Sequence, residues 1–177
     1  TSQKYIEKGV PFEINGMTIN TFGVSHDSSE CVGYVIDYAG QRFMIATDCG
    51  EPNDELEAYL RTANHIVIEA NHDEAMLLNG PYPTYLKERI LSPRGHQSNV
   101  TCGTLLADNY HTGMRNVFLC HLSLENNDPQ VALNTVSDIL LDAGIVAGED
   151  LFVTPLERLK PSPVYALNDG IITPLPP

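Results

Sequence analysis

At 177 residues, 42% of them hydrophobic and none in a low-complexity tract, the chain is long enough to bury one sizeable core, which argues against disorder and for a single domain. Twenty-three acidic residues against ten Lys and Arg give a formal charge of −13, so the surface as a whole repels a phosphate backbone, and a nucleic-acid substrate would need a local positive site such as bound metal. No apolar run approaches the roughly 20 residues of a membrane span, and the opening "TSQKYIEKG" lacks the apolar core of a signal peptide, so the expectation is a soluble, cytoplasmic protein with no membrane partner.

"PFEINGMTINTFGVSH" reads as two short strands around Asn15-Gly16, a dipeptide that tolerates the positive φ of a two-residue hairpin turn, with the second strand ending at His26. "CVGYVIDYAGQRFMIATD" repeats the design: a strand, a turn at Ala39-Gly40, and an apolar run from Phe43 to Ala46 that stops at Thr47 and Asp48. "NDELEAYLRTA" places acidic residues early and Leu56, Tyr59 and Leu60 at helical spacing behind an Asn53 cap. "HIVIEAN" is a buried strand ending at Glu69. "DEAMLLNG" and "PTYLKERILS" are two short helices, split by Asn79-Gly80-Pro81, which no continuous helix would survive.

In "GHQSNVTCGTLLADNYH", Ser98 or Asn99 caps a helix that turns Leu105 and Leu106 inward. "NVFLCHLS" is another buried strand, ending at His121. "DPQVALNTVSDILLDAG" is an amphipathic helix with Pro129 in its first turn and Gly144 past its end. A last strand near "LFVTP" precedes a proline-bearing tail. Hairpins early and strand-helix alternation later predict a mixed α/β (α+β) fold, a mixed sheet flanked by helices, with no internal repeat and no dividing linker. Cys31, Cys49, Cys102 and Cys120 form no CxxC pair and read as reduced, buried thiols.

Four strands thus end in groups able to bind a cation or move a proton: His26, Asp48, Glu69 and His121. Sheet scaffolds hold their sites at such ends, where the backbone is fixed and the loop leaves the side chain exposed. Two imidazoles and carboxylates suit zinc, manganese or iron, and a carboxylate can bridge two ions. Taken singly, His26, Asp48 and His121 read first as turn or loop caps or a satisfied half-buried histidine, and no HxH or HExxH pair exists in the chain.

The series "FGVSHDSSECVGYVI", "FMIATDCG", "IVIEANHD", "RGHQSN" and "VFLCHLSLENN" resembles the C-terminal half of metallo-β-lactamase-fold hydrolases, in particular the WalJ/YycJ branch and more distantly tRNase Z. The resemblance runs from "YIEKGVPFEI" to "KPSPVY" and implies the C-terminal half of an αββα sandwich over residues 1–177. It implies that His26 is a ligand of a first metal, Asp48 a bridge between two metals and His121 a ligand of the second. Glu69 and His72 fall where tRNase Z carries its "HEAT" motif, with Ile68 in place of that motif's histidine, which implies catalytic proton transfer there. His96 matches a glycine-histidine-serine element before a helix, which implies a catalytic part or, with Ser98, contact with a substrate phosphate, and which reads equally as a capping turn with no catalytic part. Asn126 and Asn127, in the loop after His121, stand open between substrate contact and turn chemistry.

Complete members carry an HxHxDH motif on their N-terminal half, and no two of the six histidines here are one residue apart. The chain is therefore expected to be the C-terminal half of a longer protein, or else a half-domain without the chemistry. The first is preferred because His26, Asp48 and His121 all persist. The implied function of the intact protein is metal-dependent hydrolysis with two divalent ions (zinc, or manganese or iron), acting on a phosphodiester as a DNA exonuclease. The chain alone is expected to be inactive and to pair with the absent half, or with another chain covering an exposed apolar sheet edge. A noncatalytic interaction module, a homo-oligomer and a hydrolase of small esters or lactams are the competing expectations.

Overall fold

Strand β1 (Phe12–Ile14) turns into β2 (Met17–Gly23) through Asn15 and Gly16, at φ 49° and 78°, the left-handed pair that matches the twist of the strands on either side. Strands β3 (Val32–Tyr38) and β4 (Gln41–Ala46) are joined in the same way by Ala39 and Gly40, at φ 49° and 73°. Helix α1 (Asp54–Leu60) starts where the Asn53 side chain accepts the Leu56 amide, and it leads to β5 (His65–Glu69). Two short helices follow, α2 (Glu74–Asn79) and α3 (Thr84–Ile90), then α4 (Asn99–Asp108), capped by Ser98. Strand β6 (Asn116–Cys120), α5 (Pro129–Asp142) and β7 (Phe152–Pro155) complete the alternation. The computed structural model describes residues 5–168 and 171–175, so the first four residues of the opening stretch lie outside the described residues.

The seven strands lie in sequence order, antiparallel through β4 and parallel from β4 to β7. Short hairpins can only join antiparallel neighbours, whereas helical crossovers return the chain to run parallel. Two antiparallel steps restore direction, so β2, β4, β5 and β6 all run the same way and their C-terminal ends share one edge of the sheet. This edge carries the candidate site.

The register sorts side chains between two unlike faces. Phe22, Val35, Met44, Ala46, Ile66, Ile68, Val117 and Leu119 form one fully buried row, packed with Leu56 and Leu60 of α1, Leu106 of α4 and Leu140 of α5. Gly33 has no side chain because the Phe22 ring lies directly across its Cα, where it stacks on Tyr59 at 5.0 Å. The opposite row, Ile36, Phe43, Ile45, Val67 and Phe118, is also apolar but only partly covered, and it lines a shallow cavity of about 190 Å³ with Tyr165. The expected flanking by helices is therefore one-sided, and the exposed apolar surface is a sheet face rather than an edge: edge strand β1 has only three residues.

Two expectations are corrected. Strand β2 ends at Gly23 and not at His26, because its ladder with β3 closes at the Gly23-Val32 pair and the chain then bends away. The tail contains a hairpin, β8 (Tyr165–Asn168) with β9 (Ile171–Pro174), whose Tyr165 ring packs edge-on to Phe118 at 5.1 Å. The four cysteines are free thiols, three of them buried. Among the described residues, no helix is long and apolar enough to cross a membrane.

Candidate metal centre

Each histidine at the edge has one ring nitrogen committed and the other left available. The Nδ1–H of His26 donates to the Gly95 carbonyl at 3.2 Å, so its Nε2 lone pair faces Asp48 Oδ1 at 3.7 Å. A side chain at Gly95 would collide with the Arg89 and Ile90 carbonyls, so glycine lets the chain pass close to the end of α3 there. His96 and His121 both donate from Nδ1 to Glu69 Oε1, each at 2.7 Å, which leaves their Nε2 atoms as acceptors. A carboxylate that fixes the tautomer and orientation of an imidazole in this way is the usual support of a metal-ligating histidine. The rings stand in a row, His26 to His96 at 5.1 Å and His96 to His121 at 5.3 Å.

Glu69 is fully buried, and its Oε2 accepts the Cys49 amide at 2.8 Å. Burial pushes its pKa up, but the bonds from His121 and His96 outweigh burial and hold the carboxyl below its usual range. The bond to Glu69 in turn raises the pKa of His121, against burial.

Asp48 sits at the centre of the row. Its Oδ1 lies 3.7 Å from His26 Nε2, 3.8 Å from His121 Nδ1 and 3.9 Å from His96 Nδ1. Asp48 and His121 both have left-handed backbone, at φ 52° and 56°. That conformation costs a non-glycine residue roughly 1–2 kcal/mol, and such strain collects at functional sites, where the surrounding structure dictates it. Here it turns two side chains back over the sheet edge.

Two groups of ligand atoms lie within 4.8 Å of one another: His26, Asp48 and His96, and Glu69, His96 and His121. A tetrahedral ion with ligands at about 2.0–2.2 Å spaces neighbouring ligand atoms roughly 3.3–3.6 Å apart. The 3.7 Å between His26 and Asp48 needs only a small adjustment to meet that. The donor set of imidazole and carboxylate suits a borderline divalent ion.

The structure brings together five of the residues singled out in the sequence, His26, Asp48, Glu69, His96 and His121, and sets four others behind them. His72 is 1% exposed, neither of its ring nitrogens has a partner among the described residues, and burial lowers its pKa. Ser98 spends its hydroxyl on the α4 cap, accepting from the Thr101 amide and donating to Glu74. The Asn127 and Asn99 amides bond reciprocally at 2.9 and 3.0 Å, and Asn127 also donates to the Ala70 carbonyl. Asn126 is fully buried, and its carbonyl accepts the Asp73 amide. These residues tie the loops after β5 and β6 to the start of α4, and burial keeps them from the cavity that opens on His26, His96 and His121.

Asp27, next to His26 in the chain, also approaches the histidine row. Its Oδ1 stands 3.4 Å from His26 Nε2 while its other oxygen accepts from Arg89, whose guanidinium lowers the Asp27 pKa. The adjacency of His26 and Asp27 was the sole sequence signal, and nothing local indicated a partner 62 residues away.

A family model described as beta-lactamase superfamily domain matches residues 2–125. The exodeoxyribonuclease YycJ of Bacillus anthracis is 33% identical over 165 residues, covering 93% of this chain and 62% of its own length. The exodeoxyribonuclease WalJ of Streptococcus pneumoniae is 34% identical over 154 residues, 86% of this chain and 57% of its own length. The chain thus spans about three-fifths of the length of these relatives. Among solved structures, the metallo-beta-lactamase fold protein YhfI from Bacillus subtilis superposes with a TM-score of 0.61 at 14% identity, over 86% of this chain and 52% of that one. The Zn(2+)-bound PqqB from Methylobacterium extorquens does so at 0.53 and 19%, over 85% and 49%.

Proposed function

Because this chain belongs to the beta-lactamase superfamily, we propose that it forms part of a two-metal phosphodiesterase acting on DNA as an exonuclease. The observation that carries this reading is the cluster at one sheet edge, where Asp48 Oδ1 lies 3.7 Å from the available Nε2 of His26 and beside His96 and His121, whose Nδ1 atoms Glu69 holds so that their Nε2 lone pairs stay available. Two divalent ions, zinc or else manganese or iron, would be held by His26 and Asp48 on one side and by Asp48 and His121 on the other. When bound, they would lower the pKa of a water nucleophile and neutralise charge on the attacked phosphoryl group.

The chain's own residues orient and move protons. Glu69 holds His96 with its Nδ1–H committed, so Nε2 is the atom able to take up or deliver a proton at the departing oxygen. The same carboxylate keeps His121 in the tautomer that binds a cation through Nε2. His72, buried and without partners, is assigned no proton transfer. The four free thiols suit a reducing, cytoplasmic setting.

Three side chains shared between two ions leave both sites short of ligands, and the half-covered sheet face lacks a packing layer. One complementing region, in the same protein or in another chain, would supply both. The open face alone also suits a noncatalytic partner module, and the same experiment separates the two. Metal content and hydrolysis of double-stranded DNA, single-stranded DNA, RNA and bis(p-nitrophenyl) phosphate are measured on the full-length protein and on its His26→Ala and His121→Ala variants. About two ions per chain and DNA degradation lost in both variants are expected. Undiminished activity in both would end the hydrolase reading, and turnover of the small ester alone would move the substrate class away from nucleic acid.

A further inference from the structure

The cavity beside the ligand row holds about 230 Å³, below the ~300–1,000 Å³ of pockets for drug-sized molecules, so it suits one nucleotide unit rather than a duplex. Three kinds of surface meet in it. His26, His96 and His121 form its rim at the metal centre, Tyr82, Leu86 and Ile90 form an apolar wall, and Arg158 stands at the side of His121.

Arg158 is set apart from most of the ten basic residues of this acidic chain. Lys8, Arg42, Arg61, Arg89 and Lys160 are each neutralised by a carboxylate, and Arg94 donates to the His26 carbonyl. Among the described residues, Arg158 has neither hydrogen bond nor ion pair, and it lies at the cavity mouth. In a chain of net charge −13, a guanidinium left free beside three histidines is placed for an anion. Tyr82 lies between Pro81 and Pro83, so the backbone that carries its ring is stiff on both sides, and little conformational freedom is lost when a ligand packs on it.

We propose that this cavity is a nucleotide subsite for a single-stranded nucleic-acid end, in which the base next to the scissile phosphate stacks on Tyr82 and the adjoining phosphate pairs with Arg158. The assignment rests on the phosphodiesterase reading above and deepens it. A base inside a duplex has both faces covered by its neighbours and is held by its partner strand, whereas an unpaired or frayed end offers a face that is free to enter the cavity and stack on the Tyr82 ring, and such stacking tolerates any base. Both are positioning residues, since neither touches the reacting atoms.

The test uses the full-length, metal-loaded protein, with a deoxythymidine oligonucleotide and the same strand carrying an abasic terminal unit. Binding is followed by fluorescence anisotropy and hydrolysis by product release. Tyr82→Ala is expected to raise Kd and KM for the normal strand about 5- to 150-fold, the range of one stacked base, with kcat retained. It should have little effect on the abasic strand, and Tyr82→Phe should restore wild-type behaviour. Arg158→Ala should reduce the slope of log Kd against log salt by about 0.7, one phosphate contact on a single strand, and Arg158→Lys should recover most of it.

Equal losses on the normal and abasic strands, or an unchanged salt slope, would overturn the subsite while leaving the hydrolase reading intact. Binding with these dependences but no hydrolysis would uphold the subsite and sink the hydrolase reading. A protein that neither binds nor cuts either strand would end both.

Discussion

Replacing Glu69 by glutamine changes one atom in a buried carboxylate that accepts three hydrogen bonds, and no orientation of the amide satisfies all three. With its oxygen kept toward His96 and His121, which lie at 2.7 Å, the new NH₂ faces the Cys49 amide at 2.8 Å, donor against donor. With the amide turned over, the Cys49 bond is kept, but the NH₂ faces both imidazoles and forces their Nδ1 atoms to accept. Their protons then move to Nε2, where they block the nitrogen that would hold the ion. A buried orphaned donor costs about 1–3 kcal/mol, and exchange of charge-assisted bonds for neutral ones adds a similar amount. Loss of such a supporting carboxylate lowers metal affinity about 10- to 100-fold. Chelator competition on the full-length Glu69→Gln protein measures that drop, and denaturant unfolding of the metal-free variant measures the stability loss. Metal affinity within about twofold of wild type, far short of that range, would refute the role assigned to Glu69.

Two further outcomes follow from groups away from the ligands. Burial lowers the His65 pKa to about 4, and its Nδ1 accepts from Asn116 at 3.0 Å, so the folded protein keeps this ring neutral while the unfolded chain takes up a proton near pH 6.5. Its contribution to stability is complete above about pH 6.5 and falls as pH drops toward 4, by up to roughly 3 kcal/mol. Urea unfolding at pH 7 and pH 4.5 should show that loss in the wild type and a smaller one in His65→Gln, and equal losses would refute the assignment. Asn127→Ala should cost about 2–5 kcal/mol by orphaning Asn99 and the Ala70 carbonyl, with KM for DNA unchanged in the folded fraction. A raised KM at unchanged stability would return Asn127 to the substrate.

The elements were legible where local chemistry dictates them. Asn15-Gly16 fixes its hairpin by left-handed backbone, and Asn53 and Ser98 fix helix starts by accepting amides three residues on. The tail hairpin was hidden by the prolines around its two short apolar strands, which read as an irregular segment. At the candidate site, strand-end placement pointed to Asp48, Glu69 and His121, which the sheet edge brings together, whereas His26 reaches the same edge from the loop past Gly23. The sharing of one Glu69 oxygen by His96 and His121 was not legible, because those histidines lie 27 and 52 residues from Glu69 and only the sheet brings them together. Burial was equally hidden. Ser98, Asn126 and Asn127 are polar residues in loops, a pattern shared by substrate contacts and loop ties, and only the packing separates the two.

Under the two-metal proposal, the shortage of ligands and the open sheet face would have one remedy. Ile36, Phe43, Ile45, Val67 and Phe118 offer an apolar face next to a ligand set that is too small for two ions, and a single packing layer carrying further ligands would satisfy both. Metal that binds only the joined layers stabilises their union by RT ln(1 + [L]/Kd), about 2.7 kcal/mol at a hundred times Kd. Apolar burial acts in the other direction, fixing the ligands so that less ordering is left to oppose metal binding. Under that proposal, layer association and metal loading would be reciprocal, each raising the other's affinity by the same factor. Asp48 sits where the two meet. Its strained backbone at φ 52° sets its side chain among His26, His96 and His121, so the part of the proposed site on this chain is held in place by the fold itself.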